Sequence, residues 1–223
     1  MLAERYSFMF DFHTHTILSD GELIPSELVR RAAICGYEGI GLTDHVDFSN
    51  IDHVLTAIKK SKILEEDIGI KVIPGIEITH VPPEKIERLV SKAKKGGAEL
   101  IVVHGETISE PVKNGTNEYA LKNEDVDILA HPGLISEKDA ALAAKNNIYL
   151  EITTRAGHSL TNGHVARVAK ASGAKLLVNT DTHGPRDLIN EEFALKTAMG
   201  AGLMEDEAKA VIYEIPKELI KRL

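Results

Sequence analysis

The sequence contains one cysteine, Cys35, in 223 residues, so it cannot form an intramolecular disulfide. No apolar run approaches the roughly 18 residues that a membrane-spanning helix needs. The N-terminal stretch, MLAERYSFMFDFHTH, has neither the apolar core nor the small-residue cleavage site of a secretory signal. These absences predict a cytoplasmic protein that does not enter a membrane.

Positive charge and aromatic side chains are also in short supply. The formal net charge is −8, so electrostatic attraction to nucleic acid is not the default expectation. Five Tyr and five Phe give no distinct platform on which single-stranded bases would stack. A nucleic-acid partner is therefore disfavoured, although net charge does not exclude a local basic patch.

Hydrophobic residues make up 43% of the chain, and no linker, repeat or low-complexity tract interrupts it, which predicts a single domain over residues 1–223. Short apolar runs rich in Val, Ile and Leu alternate with longer amphipathic stretches. Nearly continuous apolar runs are typical of strands buried on both faces. The predicted strands cover residues 8–12, 39–42, 72–78, 100–103, 126–130, 148–152 and 176–179. The predicted helices cover residues 25–35, 52–64, 83–95, 136–146, 163–173, 185–199 and 204–213, with a break at Pro216.

Ten histidines are present, and many of them coincide with the downstream ends of these strands. Six of the seven strands end on an imidazole or a carboxylate: His13, His15, His45, Glu77, His104, His131, Asp181 and His183. In a parallel barrel the carboxyl ends of all strands face one mouth, whereas an open sheet would spread these groups along a line. The pattern therefore favours a small β/α barrel with a convergent cluster at its mouth.

These residue types indicate a metal centre. His13 and His15 are two residues apart on an extended strand, so both side chains face the same way and can hold one ion. A carboxylate such as Glu77 can bridge two cations. Imidazole and carboxylate ligands without cysteine suit zinc, manganese or iron in a catalytic site. Two or three such ions activate a water and stabilise an in-line displacement, which predicts a metal-dependent hydrolase.

The sequence resembles the polymerase-and-histidinol-phosphatase (PHP) family. The motifs that carry the resemblance are DFHTHTILSDG, GLTDH, PGIE, VVHGE, AHPG and NTDTH, in the family's order over residues 11 to 183. The resemblance implies a distorted (β/α)7 barrel, a trinuclear metal centre and the hydrolysis of a small phosphate ester.

The resemblance also implies a division of ligands among three ions. The first ion would be bound by His13, His15, Glu77 and Asp181, and the second by Glu77, His104 and His131. The third would be bound by Asp20, His45 and His183. Asp20 joins the set only through the resemblance, since SDG by itself is typical of a turn.

Other residues are candidates for catalysis and substrate binding. Asp181 and Glu77 are the candidate catalytic residues, with Asp181 ranked first for moving a proton. Arg155 and Arg186 follow strands, where a guanidinium can bind phosphate, but pairing with a surface carboxylate is equally open. His158 is a weaker candidate for a substrate contact, the alternative being a capping or surface group.

Asp44 and Glu106 are candidates for orienting the ligands.

Two alternatives to a phosphoesterase remain open. TatD-like nucleases also combine a first-strand HxH with a glutamate, two histidines and an aspartate. A non-catalytic binding module is a further possibility, because a PHP-like subunit of ribonuclease P binds RNA. The intact ligand set argues against the module, and the acidic charge argues mildly against a nucleic-acid substrate.

Overall fold

The structure, a computed structural model, describes residues 9–223. Residues 1–8 lie outside this range. They include Phe8 of the first predicted strand and most of the N-terminal stretch that was examined for a secretory signal. The strands are β1 Met9–Asp11, β2 Tyr37–Leu42, β3 His45–Val46, β4 Lys71–Ile78, β5 Leu100–His104, β6 Ile128–Ala130, β7 Tyr149–Thr153 and β8 Leu176–Asn179. The α-helices are α1 Pro25–Ile34, α2 Ile51–Lys60, α3 Leu64–Ile68, α4 Ile86–Gly96, α5 Thr116–Leu121, α6 Glu137–Asn146, α7 Asn162–Ser172, α8 Glu191–Gly200, α9 Glu205–Lys209 and α10 Ile215–Arg222.

Seven of the strands form one continuous sheet in the order β1-β2-β4-β5-β6-β7-β8, and every pair is parallel. The two-residue strand β3 pairs with the end of β4, where His45 lies opposite Glu77. Thr14 and Thr182 form an isolated parallel bridge that joins the two edges of the sheet. The sheet is thus nearly closed into a barrel, which confirms the predicted distorted (β/α)7 architecture.

The interior of the barrel is apolar below the mouth. Phe12, Ile73 and Tyr149 belong to this inner cluster, and Leu219 of α10 joins it. Arg222 of α10 donates to Asp127, whose other carboxylate oxygen accepts from the backbone N–H of Ile101, at the amino end of the strands. The C-terminal helix therefore packs across the end of the barrel opposite the mouth. A second, larger apolar layer lies between the strands and the surrounding helices.

The seven predicted strands are present within the described residues, but some helix boundaries were wrong. The helix predicted over 185–199 begins at Glu191, after Asn190 accepts a capping hydrogen bond from the backbone N–H of Phe193. The preceding residues form a loop because Asp187 accepts from the backbone N–H groups of His183 and Gly184. Such local side-chain acceptors compete with helix formation.

Pro216 does not break the terminal helix pair as predicted. It lies in the first turn of α10, and a π-helical turn over Ala210–Glu214 connects α10 to α9 without interruption. No helix among residues 9–223 is long and apolar enough to span a membrane.

Candidate metal centre

All nine predicted ligands meet at the mouth of the barrel. In four overlapping groups, each residue offers one ligand atom that lies within 4.8 Å of the others in its group. The groups are His13, His15 and Glu77; Glu77, His104 and His131; His13, His131 and Asp181; and His15, Asp20, His45 and His183.

The groups only partly follow the division implied by the family. Glu77, His104 and His131 recur as a group, as expected for the second ion. His15, however, also belongs to the group around Asp20, and His131 also joins His13 and Asp181. The geometry thus supports the membership of the cluster more firmly than the assignment of ligands to individual ions.

Several polar atoms in this cluster are buried without a hydrogen-bond partner among the described residues. Six of them belong to candidate ligands: His13 Nε2, His15 Nδ1, His15 Nε2, Glu77 Oε1, His131 Nδ1 and Asp181 Oδ1. A buried polar atom that makes no hydrogen bond destabilises the fold by about 1–3 kcal/mol. Imidazole nitrogens and carboxylate oxygens converging without partners are the donor set that a divalent cation would satisfy. The residues present therefore fit metal ions.

Glu77 lies at the centre of the cluster and is fully buried. Its Oε2 is 2.6 Å from His45 Nδ1, and its Oε1 is 3.3 Å from His13 Nε2 and 3.7 Å from His131 Nε2. Burial alone would raise the pKa of this carboxyl, but His13 and His45 hold the pKa well below its usual range. Glu77 is therefore an anion among imidazoles, and its place in two groups suits a bridging ligand.

Asp20 extends the cluster toward solvent. Its Oδ1 is 3.3 Å from His183 Nε2, 3.6 Å from His45 Nε2 and 3.9 Å from His15 Nδ1. A Cβ on Gly21 would lie 2.5 Å from the backbone oxygen of His15, so the tight turn beside Asp20 requires glycine.

Asp44 holds the loop that carries Asp20. Its carboxylate accepts from the backbone N–H of Thr16 at 2.8 Å and from the hydroxyl of Ser19 at 2.8 Å. It thereby fixes the chain just before Asp20. Glu106, the other candidate for orienting ligands, accepts from the backbone N–H groups of Gly115 and Asn117 and fixes the loop after β5 instead.

Two candidate ligands have unusual backbone conformations. His131 has φ 27° and Asp181 has φ 54°, both in the positive region that non-glycine residues rarely adopt. Backbone strain of this kind concentrates at functional sites, where the surrounding structure holds it in place.

Asp181 presents its two carboxylate oxygens to different neighbours. Its Oδ1 is 3.1 Å from His15 Nε2 and 3.7 Å from His13 Nε2, whereas Oδ2 is 3.8 Å from His131 Nε2 and 4.0 Å from His158 Nε2. Burial, opposed by His13 and reinforced by Glu77, raises the pKa of Asp181 to about 7.

His158 lies beside the cluster of candidate ligands and not on the surface. It is 7% exposed, and its ring stacks on that of His131 with the centroids 4.2 Å apart. Its Nδ1 is 2.8 Å from the hydroxyl of Thr107. Burial, together with neighbouring His104, lowers the pKa of His158 to about 4, so the ring is neutral at pH 7.

The two arginines lie together in a neighbouring cavity. Arg155 and Arg186 line it with Asp187 and Phe193, and none of the nine ligands is among its lining residues. Arg155 Nη1 is 3.2 Å from Asp187 Oδ2, so this arginine pairs with a loop carboxylate. The same carboxylate accepts from the backbone N–H of His183, so Asp187 connects Arg155 to the loop that carries this candidate ligand.

Two acidic residues at the site were not predicted. Glu151 of β7 is fully buried, with Oε2 2.8 Å from His13 Nδ1. The one charged side chain in the buried run YLEIT was a signal that could have identified it. Glu110, on the loop after β5, has Oε1 3.3 Å from His80 Nε2 and Oε2 3.8 Å from His158 Nε2. Its position depends on the geometry of this loop, which no sequence motif indicates.

The amino-acid sequence matches one known protein-family model. The PHP domain model matches residues 11–155, which is more than half of the chain. The chain belongs to the PHP family. This confirms the resemblance inferred from the motifs.

Curated relatives span nearly the whole chain. A protein of Methanocaldococcus jannaschii whose function is uncharacterised is 52% identical over 96% of this chain and 99% of its own. Ribonuclease P protein component 3 of Methanosarcina mazei is 30% identical over 96% of this chain and 89% of its own. A protein of Thermoanaerobacter sp. named as a probable phosphatase is 29% identical over 89% of this chain and 88% of its own.

The solved structures support the fold. A chain in the cryo-EM structure of archaeal ribonuclease P with mature tRNA superposes with a TM-score of 0.68 at 18% identity, covering 96% of this chain and 88% of that chain. At this level of identity the similarity concerns the architecture alone.

Proposed function

We propose that this PHP-family protein is a metal-dependent phosphoesterase that hydrolyses a small phosphate ester through an activated water. The observation that carries the proposal is the complete set of nine converging ligands, six atoms of which are buried without hydrogen-bond partners among the described residues. In a binding module without catalytic activity, these buried groups without partners would destabilise the fold and serve no function.

The chain's residues would divide the work as follows. Nine side chains would hold two or three divalent ions, zinc, manganese or iron: His13, His15, Asp20, His45, Glu77, His104, His131, Asp181 and His183. Bound ions would lower the pKa of a coordinated water and offset charge on the phosphoryl oxygens. Glu77 would keep neighbouring cationic sites together by placing one anion between four imidazoles.

Asp181 is the proposed proton carrier. Oδ1 faces the ligands His13 and His15, which leaves Oδ2 turned toward His131 and His158. With Oδ1 directed at those ligands, Oδ2 would be the oxygen that accepts and releases the proton. The neutral ring of His158 would contact the substrate through Nε2, which is 4.0 Å from that oxygen.

Arg155 and Arg186 are the proposed phosphate contacts. Both line one cavity, and a guanidinium can donate two parallel hydrogen bonds to phosphate oxygens. Arg155 would exchange its bond to Asp187 for one to the substrate.

The experiment is a hydrolysis assay on a broad panel of phosphate esters. The chain is first stripped with a chelator and then reloaded with zinc, manganese or iron. Release of phosphate from at least one monoester is expected, together with its loss in Glu77→Gln. The Asp127→Asn variant is the matched control, since Asp127 is a buried carboxylate at the opposite end of the barrel. The absence of hydrolysis with every metal would refute the proposal.

A nucleic-acid role is the second candidate. It is favoured by the 30% identity to ribonuclease P protein component 3 over nearly all of both chains. Binding of RNA in the presence of a chelator, without hydrolysis of any ester, would favour that role. Digestion of a single-stranded oligonucleotide by the metal-loaded chain would instead favour a nuclease.

A further inference from the structure

Glu151 is a buried carboxylate in a strand that contributes none of the nine ligands. It lies in the middle of β7, between Leu150 and Ile152, and none of its surface is exposed. A buried charge requires partners that offset the loss of water. The identity of those partners therefore indicates the purpose of the side chain.

The partners of Glu151 define which atoms carry protons. Asn179 Oδ1 accepts from the backbone N–H of Phe12 at 3.0 Å, which orients the amide so that Nδ2 faces Glu151. Nδ2 donates to Glu151 Oε2 at 3.1 Å, and His13 Nδ1 lies 2.8 Å from the same oxygen. A carboxylate oxygen has no proton and can only accept from both neighbours, so His13 Nδ1 carries the proton.

The other nitrogen of His13 is then free to bind a cation. Nε2 is 3.3 Å from Glu77 Oε1 and 3.7 Å from Asp181 Oδ1, and it has no hydrogen-bond partner among the described residues. His13 belongs to two of the four candidate groups. Its tautomer therefore matters for more than one ion position.

We infer that Glu151 is a positioning residue that holds His13 in the tautomer with the proton on Nδ1 and with Nε2 directed at the metal centre. The inference rests on the proposed metal centre. A histidine that binds a metal commonly donates its other N–H to a carboxylate, which fixes the ring and raises the basicity of the ligating nitrogen.

Two other candidate ligands, His104 and His183, have a different kind of acceptor at Nδ1. His104 Nδ1 is 3.0 Å from the backbone oxygen of Gly105, and His183 Nδ1 is 2.9 Å from the backbone oxygen of Asp181. These acceptors are neutral and belong to the main chain. Glu151 instead supplies a carboxylate from a side chain, so its contribution can be removed by substitution.

The test uses zinc as the probe and measures binding independently of activity. Glu151→Gln retains the size of the side chain and an oxygen that can accept from both neighbours, but it removes the charge. We expect it to lower the affinity for at least one zinc ion by about 10- to 100-fold in competition with a chromophoric chelator. Asp127→Asn is the control and is expected to bind zinc as the wild type does.

A second readout needs no variant. In the zinc-loaded wild type, ¹⁵N-histidine spectra are expected to show His13 protonated on Nδ1 and bound to zinc through Nε2. This measurement decides the question even if Glu151→Gln does not fold.

The outcomes separate this inference from the proposed function. Zinc bound through His13 Nδ1, or equal zinc affinity of Glu151→Gln and wild type, would overturn the role of Glu151 and leave the metal centre standing. A wild-type chain that binds no zinc would overturn the metal centre itself.

Discussion

Removal of metal is expected to destabilise the fold strongly, because ions that bind only the folded chain contribute their binding free energy to folding. Each ion present at 100 times its Kd stabilises by about 2.7 kcal/mol, so two ions contribute about 5 kcal/mol. For a chain of 223 residues, each kcal/mol corresponds to about 2–4 °C in Tm. Chelation is therefore expected to lower Tm by about 10–20 °C.

The assay is thermal unfolding followed by circular dichroism, on protein treated with a chelator and then titrated with zinc. Asp127→Asn is expected to keep the full zinc-dependent shift, because its carboxylate lies at the amino end of the strands. Glu77→Gln is expected to lose most of the shift, since Glu77 belongs to two of the four groups. If Tm stays within a few degrees through chelation and reloading, the reasoning is wrong.

Three further predictions concern catalysis and pH. Glu77→Gln is expected to lower kcat/KM for a phosphate ester by about 100-fold or more, because losing a metal's electrostatic contribution raises the free energy of the transition state by several kcal/mol. Steady-state kinetics at saturating zinc measure this effect. Arg155→Ala is expected to raise KM about 10-fold. The control is Arg167→Ala, since the Arg167 side chain is exposed on α7. An unchanged KM in Arg155→Ala would remove Arg155 from the substrate site. Burial alone would lower the pKa of His45, but Glu77 and Asp20 raise it to about 9, so in the metal-free chain His45 is protonated at pH 7 and must lose that proton to bind an ion. Zinc affinity is therefore expected to rise between pH 7 and 9 with release of protons, which calorimetry in two buffers can measure; affinity independent of pH would contradict this. The metal-free chain is expected to lose stability as pH rises from the ordinary histidine pKa of 6.5 toward 9.

The sequence was informative where burial and spacing act together. Strands buried on both faces leave continuous apolar runs, and the residue after each run must lie at the mouth because all the strands are parallel. His104 and His131 could be placed in this way without any knowledge of the structure. The prediction that they face a common centre depended only on strand direction.

Features that depend on tertiary contacts could not be predicted. The short strand β3 exists because His45 and Val46 pair with the end of β4. Glu151 lies within β7 and not at its end, so the pattern of strand-end ligands does not identify it. Asp187 stopped the helix predicted from Pro185 by accepting backbone hydrogen bonds, which a helix-period pattern does not reveal.

The central claim is that the nine side chains hold metal ions, and the most direct test is the number of zinc ions bound per chain. The reconstituted, desalted wild type can be measured by elemental analysis against protein concentration. We predict two to three ions per chain, falling in Glu77→Gln and unchanged in Asp127→Asn. Fewer than two ions in the wild type would contradict the account.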